Sequence, residues 1–339
     1  MTKLGKLVVF SIICAISAVV FIGYYFVIRQ QEDVVPAVAY YVPVQVLGEY
    51  QVNQELLVYE EETIVLLCDN SGLSYCLETG KIMLPDGVAV VSIERDYIYQ
   101  VHTITLRGAY MQRGSHLLRA HCPLVMAIVL RGNVITVYTQ HAAIVNYSNE
   151  YMQFVNLRDV YHTIVLIDPG HGGLDSGAVN VLGRNYPQEA DIVLAISQKL
   201  LYIFDEPGIL LIPTRTVDKH VPLATRITMA NRLADYFISI HINADGDSRQ
   251  SRGTLTLYGS AEGSREFAYT LQNALVYALD SHNRGISDTP AVMILRESNV
   301  PVALLELLFL SNPAEAARMI DPDTQLLIAN VLADVIRSL

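Results

Sequence analysis

The order of hydrophobic and polar positions divides the chain into three regions. Residues 7–28 contain no charged side chain. Residues 40–160 contain brief runs of Val, Ile, Leu and Tyr, and after them longer apolar runs alternate with segments of helical period. This pattern predicts an N-terminal tip and membrane anchor at residues 1–30, a small all-β domain at 31–160, and an α/β domain at 161–339.

The first apolar stretch predicts a transmembrane helix. A helix that rises about 1.5 Å per residue needs about 20 residues to cross the hydrocarbon core, and residues 7–28 are sufficient. Lys3 and Lys6 precede the stretch, whereas Arg29 is soon followed by two acidic residues, so the positive-inside rule predicts a cytoplasmic N-terminus and an extracytoplasmic remainder. The alternative is a cleaved signal peptide and a secreted protein, because residues 37–39 resemble a cleavage site.

Turn signals separate the apolar runs of the middle region, which predicts a small antiparallel sandwich or barrel. The predicted strands lie at 63–67, 88–93, 124–130 and 133–138. The region's histidines have no ligand spacing and predict no catalytic cluster; they are His102, His116, His121 and His141. Cys68 and Cys76 lie symmetrically about Gly72, so a hairpin turning there would allow a disulfide, although two unpaired cysteines fit equally well.

Composition narrows the possible partners. Charged residues are 17% of the chain and the mean hydropathy is +0.32, which favours contact of one part with lipid. The net charge of -11 disfavours a nucleic-acid partner, because phosphate binding depends on basic residues. The four cysteines are not spaced as zinc-binding pairs, so a metal would be held mainly by histidines and carboxylates.

Two apolar strands of the last region lead into histidines. The run at 163–167 continues into a Pro- and Gly-rich loop that contains His171, and the run at 236–240 is followed directly by His241. Ligand sites in open α/β sheets form beyond the carboxyl ends of strands. We therefore expect both imidazoles at one edge of an open, mostly parallel sheet flanked by helices.

Two glutamates accompany these histidines. Glu189 opens a stretch of helical period at 189–204, where it could also serve only to complement the helix dipole. Glu306 is the only charge in the apolar run 302–310, and burial of an unpaired carboxylate costs at least several kcal/mol. Glu306 therefore needs a partner, unless it lies on an edge strand and faces solvent.

Such a set of residues suits metal-assisted hydrolysis. Two imidazoles and one carboxylate are a common zinc set that leaves a position for water, whose pKa zinc lowers to about 7. A further carboxylate, the role that suits Glu306, can take the proton during attack on a carbonyl and pass it to the leaving amine. The predicted reaction class is amide hydrolysis.

Six segments, in this order and spacing, resemble the zinc-dependent N-acetylmuramoyl-L-alanine amidases of bacterial cell walls. They are IDPGHGGLDSGA, GRNYPQEADIVLAI, PTRTVD, LATRITMAN, SIHINAD and PVALLELLFLSNP. The resemblance implies that His171, Glu189 and His241 bind Zn2+ and that Glu306 is the catalytic acid and base. It also implies a peptidoglycan substrate, cut between N-acetylmuramic acid and L-alanine.

Other residues of the last region have expected roles around this set. Asp168 looks like an acceptor that could orient a ligand histidine, although capping of the turn explains this residue equally well. Asn243 and Arg296 are candidate substrate contacts. For Arg215 and Arg226 we expect structural ion pairing.

The chain departs from the family pattern in two places, which concern the shape of loops. Residues 184–187 precede Glu189, and Leu307-Leu308 stands where a glycine is common. Two other functions stay open: an inactive amidase-fold module that binds the cell wall, and a zinc peptidase that acts on soluble muropeptides.

Some amidases of this family carry an inserted helical segment that plugs the zinc cleft. Here a strand at 254–258, one helix at 264–279 and a turn at 283–285 are expected to fill the corresponding interval. We therefore expect no second helix and an open cleft.

Overall fold

A computed structural model describes much of the chain from residue 59 onward. The described ranges are 59–60, 63–65, 74–76, 81–84, 88–96, 100–107, 116–119, 124–131, 133–149, 151–246 and 248–339. The predicted anchor at 7–28 lies outside them, as do Cys68, His121 and Cys122. Among the described helices, none has both the length and the apolar character needed to cross a bilayer.

The middle region forms two antiparallel sheets. Its strands are β1 (Tyr59–Glu60), β2 (Thr63–Val65), β3 (Ser74–Cys76), β4 (Lys81–Met83), β5 (Ala89–Asp96), β6 (Val101–Arg107), β7 (His116–Arg119), β8 (Val125–Arg131), β9 (Val134–Thr139), β10 (Ala143–Tyr147) and β11 (Tyr151–Asn156). The first sheet has the order β1-β2-β3-β4-β11-β10, and the second has the order β5-β6-β9-β8-β7.

The two sheets share one hydrophobic core. Every second residue of β6 and β9 is buried, as expected for strands with one face inward. The buried cluster takes Ile82, Met152 and Phe154 from the first sheet and Ile104 and Val137 from the second. The described strands of this region thus form two packed antiparallel sheets, and their ends differ by a few residues from those expected.

The hairpin expected to turn at Gly72 has a different register. The backbone pairs Cys76 with Thr63, and Ser74 with Val65. Cys76 is therefore the backbone partner of Thr63, and because Cys68 lies outside the described residues, the Cys68–Cys76 disulfide stays a prediction.

The last region is an α/β domain built on a mixed sheet. A short helix, α1 (Leu157–Val160), precedes this domain, and the helices of the domain are α2 (Glu189–Ile203), α3 (Leu223–Leu233), α4 (Ser264–Leu279), α5 (Met293–Glu297), α6 (Pro313–Met319) and α7 (Pro322–Arg337). Its strands are β12 (Thr163–Pro169), β13 (Ile209–Pro213), β14 (Tyr236–Asn243), β15 (Thr254–Tyr258), β16 (Asn283–Asp288) and β17 (Val302–Phe309).

The sheet has the order β13-β12-β14-β17-β15-β16. The first four strands in this order are parallel, whereas β15 runs antiparallel to β17 and pairs in parallel with β16. The expected open sheet flanked by helices is confirmed, and most of its pairings are parallel.

Helices cover both faces of this sheet. Alternate residues of β12 belong to different cores: Val165 and Ile167 pack with α2, α4 and α7, whereas Ile164 and Leu166 pack with α3 and α5. Because both of its faces are covered, β12 is buried along its whole length. This explains the continuous apolar run in the sequence.

Helix α1 joins the sandwich to the α/β domain. The Leu157 side chain is buried in the core that contains Ile164, and the Leu157 N–H donates to the Ala142 carbonyl at 3.0 Å. Arg158 donates to the Asp235 carboxylate at 2.6 Å, and Asp235 also accepts the Ile164 N–H at 2.7 Å. The contact thus lies where β12 and β14 begin, at the edge opposite to their carboxyl ends.

Two local expectations were wrong. Residues 283–285 do not form a turn but begin strand β16, with Gly285 at a φ of 80°. The interval before β17 also contains a second helix, α5. Its Ile294 and Leu295 are buried in the same core as Val302, so α5 packs at the beginning of β17.

We predict that His102→Phe makes the free energy of unfolding less sensitive to acid. His102 is 1% exposed, its Nδ1 has no hydrogen-bond partner among the described residues, and its ring packs edge-on against Phe154. Burial, aided by the nearby Arg95 charge, lowers the pKa of His102 from 6.5 to about 3. Between these values the unfolded chain binds a proton that the folded chain does not, so wild-type stability falls as the pH drops below about 6.5.

Denaturant unfolding of the full chain at several pH values from 7 to 4 measures this slope. The exposed His141 lies in the same sandwich, so His141→Phe is the matched control and should keep the wild-type slope. Equal slopes for His102→Phe and wild type would contradict the prediction.

Candidate metal centre

A left-handed turn presents the His171 imidazole just after β12. His171 has a φ of 60°, and Gly172 and Gly173 follow at 114° and 67°. A positive φ at a non-glycine residue costs about 1–3 kcal/mol, so surrounding contacts must hold it. Arg226 supplies one of them by donating to the His171 carbonyl at 2.7 Å.

Three candidate ligands from separate segments meet at one point. Glu189 is the first residue of α2, and His241 lies in β14, two residues before the strand ends. The Glu189 Oε1 lies 3.1 Å from the His171 Nε2 and 2.9 Å from the His241 Nδ1. The two ring nitrogens are 3.1 Å apart. The structure thus brings together His171, Glu189 and His241 as the sequence predicted.

Two glycines leave the space that these side chains occupy. A Cβ at position 170 would lie 2.2 Å from the His241 ring, and a Cβ at position 177 would lie 2.5 Å from the Glu189 Oε2. Real Cβ atoms essentially never show contacts so short, so a larger residue at either position would displace the candidate ligands. The glycines of this loop therefore leave room for the candidate ligands as well as allowing the backbone to turn.

Hydrogen bonds fix the Glu189 carboxylate. Its Oε2 accepts the Ala178 N–H at 2.7 Å, and its Oε1 accepts the Ile242 N–H at 3.0 Å while facing both histidines. Burial by itself would raise the pKa of Glu189, but hydrogen bonds and charges from His171 and His241 hold it well below its usual value. The carboxylate is therefore charged and available to a cation.

Asp175 orients His171 from the side away from Glu189. Its Oδ2 lies 2.9 Å from the His171 Nδ1, and its Oδ1 accepts the Gly177 N–H at 3.1 Å. Burial lowers the pKa of His171, but hydrogen bonds and charges of Glu189 and Asp175 outweigh it and raise the pKa to about 9. Sequence reasoning missed Asp175, although an acidic residue four positions after a candidate ligand was a usable signal.

Asp168, expected to orient a ligand histidine or cap the turn, has other partners. It is fully buried and accepts hydrogen bonds from Thr214 at 2.6 Å and from Ser239 at 2.8 Å, and it forms an ion pair with Arg226. No histidine contacts its carboxylate among the described residues. The expected ion pairing of Arg226 is confirmed, and the orienting role belongs to Asp175.

Glu306 lies on the strand next to His241. The two residues are Cα partners in the parallel pairing of β14 with β17, so their side chains share one face of the sheet. Because β17 lies between β14 and β15, the alternative of an edge-strand glutamate is excluded. Burial raises the pKa of Glu306 to about 7; the charge of Glu189 adds to the rise, and the two histidines oppose it.

Comparison with known sequences matches the α/β domain to one family. The family described as N-acetylmuramoyl-L-alanine amidase matches residues 165–338, just over half of the 339 residues. The chain belongs to this amidase family.

Individual relatives match about half of the chain. The uncharacterized protein YqiI of Bacillus subtilis is 34% identical over 51% of this chain and 83% of that protein. The germination-specific N-acetylmuramoyl-L-alanine amidase of Bacillus subtilis is 30% identical over 48% of this chain and 73% of that protein. A crystal structure of an N-acetylmuramoyl-L-alanine amidase from Clostridium difficile 630 shares 33% identity, with a TM-score of 0.49, over 52% of this chain and 95% of that one.

The two candidate substrate contacts occupy different parts of the amidase domain. Asn243 ends β14, two residues after the candidate ligand His241 and beyond a shift in register. Arg296 contacts Glu297 and the Pro290 carbonyl, each at 3.1 Å. It belongs to α5, which packs at the beginning of β17. The first residue of this strand, Val302, lies about 13 Å along the strand from Glu306, because a strand rises about 3.3 Å per residue. The structure does not bring Arg296 to the cluster, and both roles stay predictions.

We predict that Gly170→Ala abolishes metal binding by the amidase domain. The added methyl group would occupy the place of the His241 ring and push this imidazole away from Glu189. Metal content of the purified full chain after dialysis against zinc measures the effect.

Gly259→Ala is the matched control for this prediction. A Cβ there would lie 2.1 Å from the Leu295 carbonyl, and neither Gly170 nor Gly259 has a positive φ. This variant should therefore lose stability but keep its metal. Full zinc content in folded Gly170→Ala would contradict the prediction.

Proposed function

We propose that this protein is a zinc-dependent N-acetylmuramoyl-L-alanine amidase that hydrolyses the amide bond between N-acetylmuramic acid and L-alanine in peptidoglycan. One observation carries the proposal: three ligand-type side chains converge at the carboxyl ends of β12 and β14, and Glu306 faces them from β17. Membership of the amidase family supplies the substrate class.

The donor set fits zinc. Ligands at about 2.0–2.1 Å from a tetrahedral zinc ion lie about 3.3 Å from one another. The three donor atoms of His171, Glu189 and His241 are 2.9 to 3.1 Å apart, so a small adjustment accommodates the ion. Two imidazole nitrogens and one carboxylate also leave a fourth position open, as in catalytic zinc sites.

When bound, zinc lowers the pKa of a coordinated water and polarises the scissile carbonyl. The residues of the chain carry out the proton transfers. Glu306 accepts the proton of the attacking water as its oxygen bonds to the carbonyl carbon. It then gives this proton to the L-alanine nitrogen as the carbon–nitrogen bond breaks. Asp175 and the Ala178 N–H keep His171 and Glu189 in orientation throughout.

The half-buried position of Glu306 suits both steps. Burial raises the pKa of this carboxyl above its usual value, which helps it to hold the proton that it takes from water and later returns. The complete set of four groups supports an enzyme over an inactive wall-binding module. A zinc peptidase acting on soluble muropeptides would use the same groups, and comparison of rates on intact peptidoglycan and on soluble fragments separates the two activities.

We predict that metal and base can be separated by mutation. A strong chelator should abolish release of amino termini from purified peptidoglycan, and added zinc should restore it. Glu306→Gln keeps the shape of the side chain but cannot accept a proton, so it should retain zinc and lose about 10²-fold or more in rate. His171→Ala should lose both zinc and activity, because it removes one of the three ligands.

Two results would contradict this mechanism. Activity of metal-free wild-type protein would exclude a metal role. Loss of zinc from folded Glu306→Gln would make Glu306 a ligand.

We also propose that the protein is a single-pass membrane protein with domains at 1–30, 31–160 and 161–339. The uncharged stretch at 7–28 and the preceding lysines support the anchor, and a peptidoglycan substrate requires the amidase domain to lie outside the cytoplasm.

We predict that protease added to wall-free cells digests the chain after Gln30, while a cytoplasmic marker stays intact. Protection of the amidase domain would reverse the proposed topology, and release of the protein into the medium would indicate cleavage of the N-terminal segment.

A further inference from the structure

Arg215 is a fully buried cation next to the metal centre. It follows β13, its side chain is 1% exposed, and the sequence suggested a structural ion pair. Among the described residues, no carboxylate lies within ion-pair distance of its guanidinium, and the nearby Asp168 pairs instead with Arg226. The expectation of ion pairing was therefore wrong for Arg215.

The guanidinium of Arg215 instead joins two segments that carry metal ligands. Its Nε donates to the Pro169 carbonyl at 2.9 Å, and its Nη2 donates to the Gly170 carbonyl at 2.7 Å. The same Nη2 donates to the Ala190 carbonyl at 2.8 Å. Gly170 immediately precedes His171, and Ala190 immediately follows Glu189. One side chain thus bonds to the neighbours of two of the three ligands.

Placing a cation there is energetically unfavourable unless the hydrogen bonds compensate. A charged group removed from water loses several kcal/mol of solvation, and neutral carbonyls replace only part of it. Burial, with the Arg226 charge nearby, also lowers the pKa of Arg215. Arginine is suited to this position because its planar donors point in fixed directions and reach several acceptors at once.

We propose that Arg215 is a positioning residue that fixes the separation of His171 and Glu189. The inference rests on the proposed metal-binding role of these two residues. Their donor atoms lie 3.1 Å apart although they come from a loop and from a helix N-terminus. The shared contacts of Arg215 are the only side-chain link among the described hydrogen bonds that spans Gly170 and Ala190.

The test is zinc affinity of the full chain, measured by competition with a chromophoric chelator. Arg215→Lys keeps the charge but places its donors on one nitrogen, and Arg215→Gln removes the charge. Neither can span the three carbonyls, so both should weaken zinc binding by about 10- to 100-fold, the loss typical of outer-shell partners of metal ligands. Stability of the metal-free protein, measured by denaturant unfolding, separates this effect from general destabilisation.

Arg318→Lys is the matched control. Arg318 is a partly buried arginine that donates to the Leu279 carbonyl and joins α6 to α4, away from the segments that carry the ligands. This variant should lose stability without a change in zinc affinity.

The possible outcomes distinguish this inference from the proposed function. If wild-type protein binds no zinc, the metal site itself is wrong. If wild-type protein binds zinc and folded Arg215 variants bind it within twofold of the wild-type affinity, only the role of Arg215 is wrong. Failure of both variants to fold would likewise overturn the inference, because Arg215 would then support the fold as a whole.

Discussion

The parallel pairing of β14 with β12 and β17 is the constraint on which the site depends. It aligns Pro169 with Ile240 and His241 with Glu306, so the loop after β12 begins beside the imidazole of β14. A shift of β14 by one residue would turn His241 to the opposite face of the sheet. Apolar side chains on both faces of the sheet secure this register. The hydrophobic cores therefore determine how far apart the polar side chains lie at the carboxyl ends of the strands.

The site also depends on how buried charges are distributed. Asp168 and Arg226 neutralise each other beneath the loop, and Glu189 is balanced by two imidazoles. Arg215 is the exception, since backbone carbonyls replace a carboxylate partner. The guanidinium groups of Arg215 and Arg226 bind backbone carbonyls of the His171 loop, and Asp175 contacts the His171 ring. These contacts stabilise the otherwise unfavourable φ of His171.

Sequence patterns predicted the elements better than their contacts. The helices at 189–203 and 264–279 and the strands that carry His241 and Glu306 follow from periodicity and apolar runs, because burial imposes both patterns locally. The pairing of ligands was predictable because carboxyl ends of parallel strands share an edge. The hydrogen-bond partner of His171 was not predictable from the sequence. Asp168 and Asp175 are both acidic and close to His171 in the chain, and only the tertiary fold decides which of them reaches the imidazole ring.

The sequence pattern also did not predict strand register or the shortest helix. The hairpin of β2 and β3 can turn at several positions without changing its composition, so symmetry about Gly72 was a poor guide to the partner of Cys76. Helix α5 has five residues, too few to show a period, and its burial depends on contacts with Val302. The sequence around Arg215 does not indicate that the hydrogen-bond acceptors of its side chain are backbone carbonyls of distant segments.

The joint at α1 has a consequence for how the chain folds. Leu157 contributes to the core of the α/β domain while its N–H is bonded to the sandwich, and Asp235 ties the same helix to the start of β12. Melting of the sandwich would expose apolar surface of its neighbour, and the reverse also holds. The sandwich and the amidase domain are thus coupled thermodynamically, so part of the amidase domain's resistance to unfolding and proteolysis resides in its contact with the sandwich.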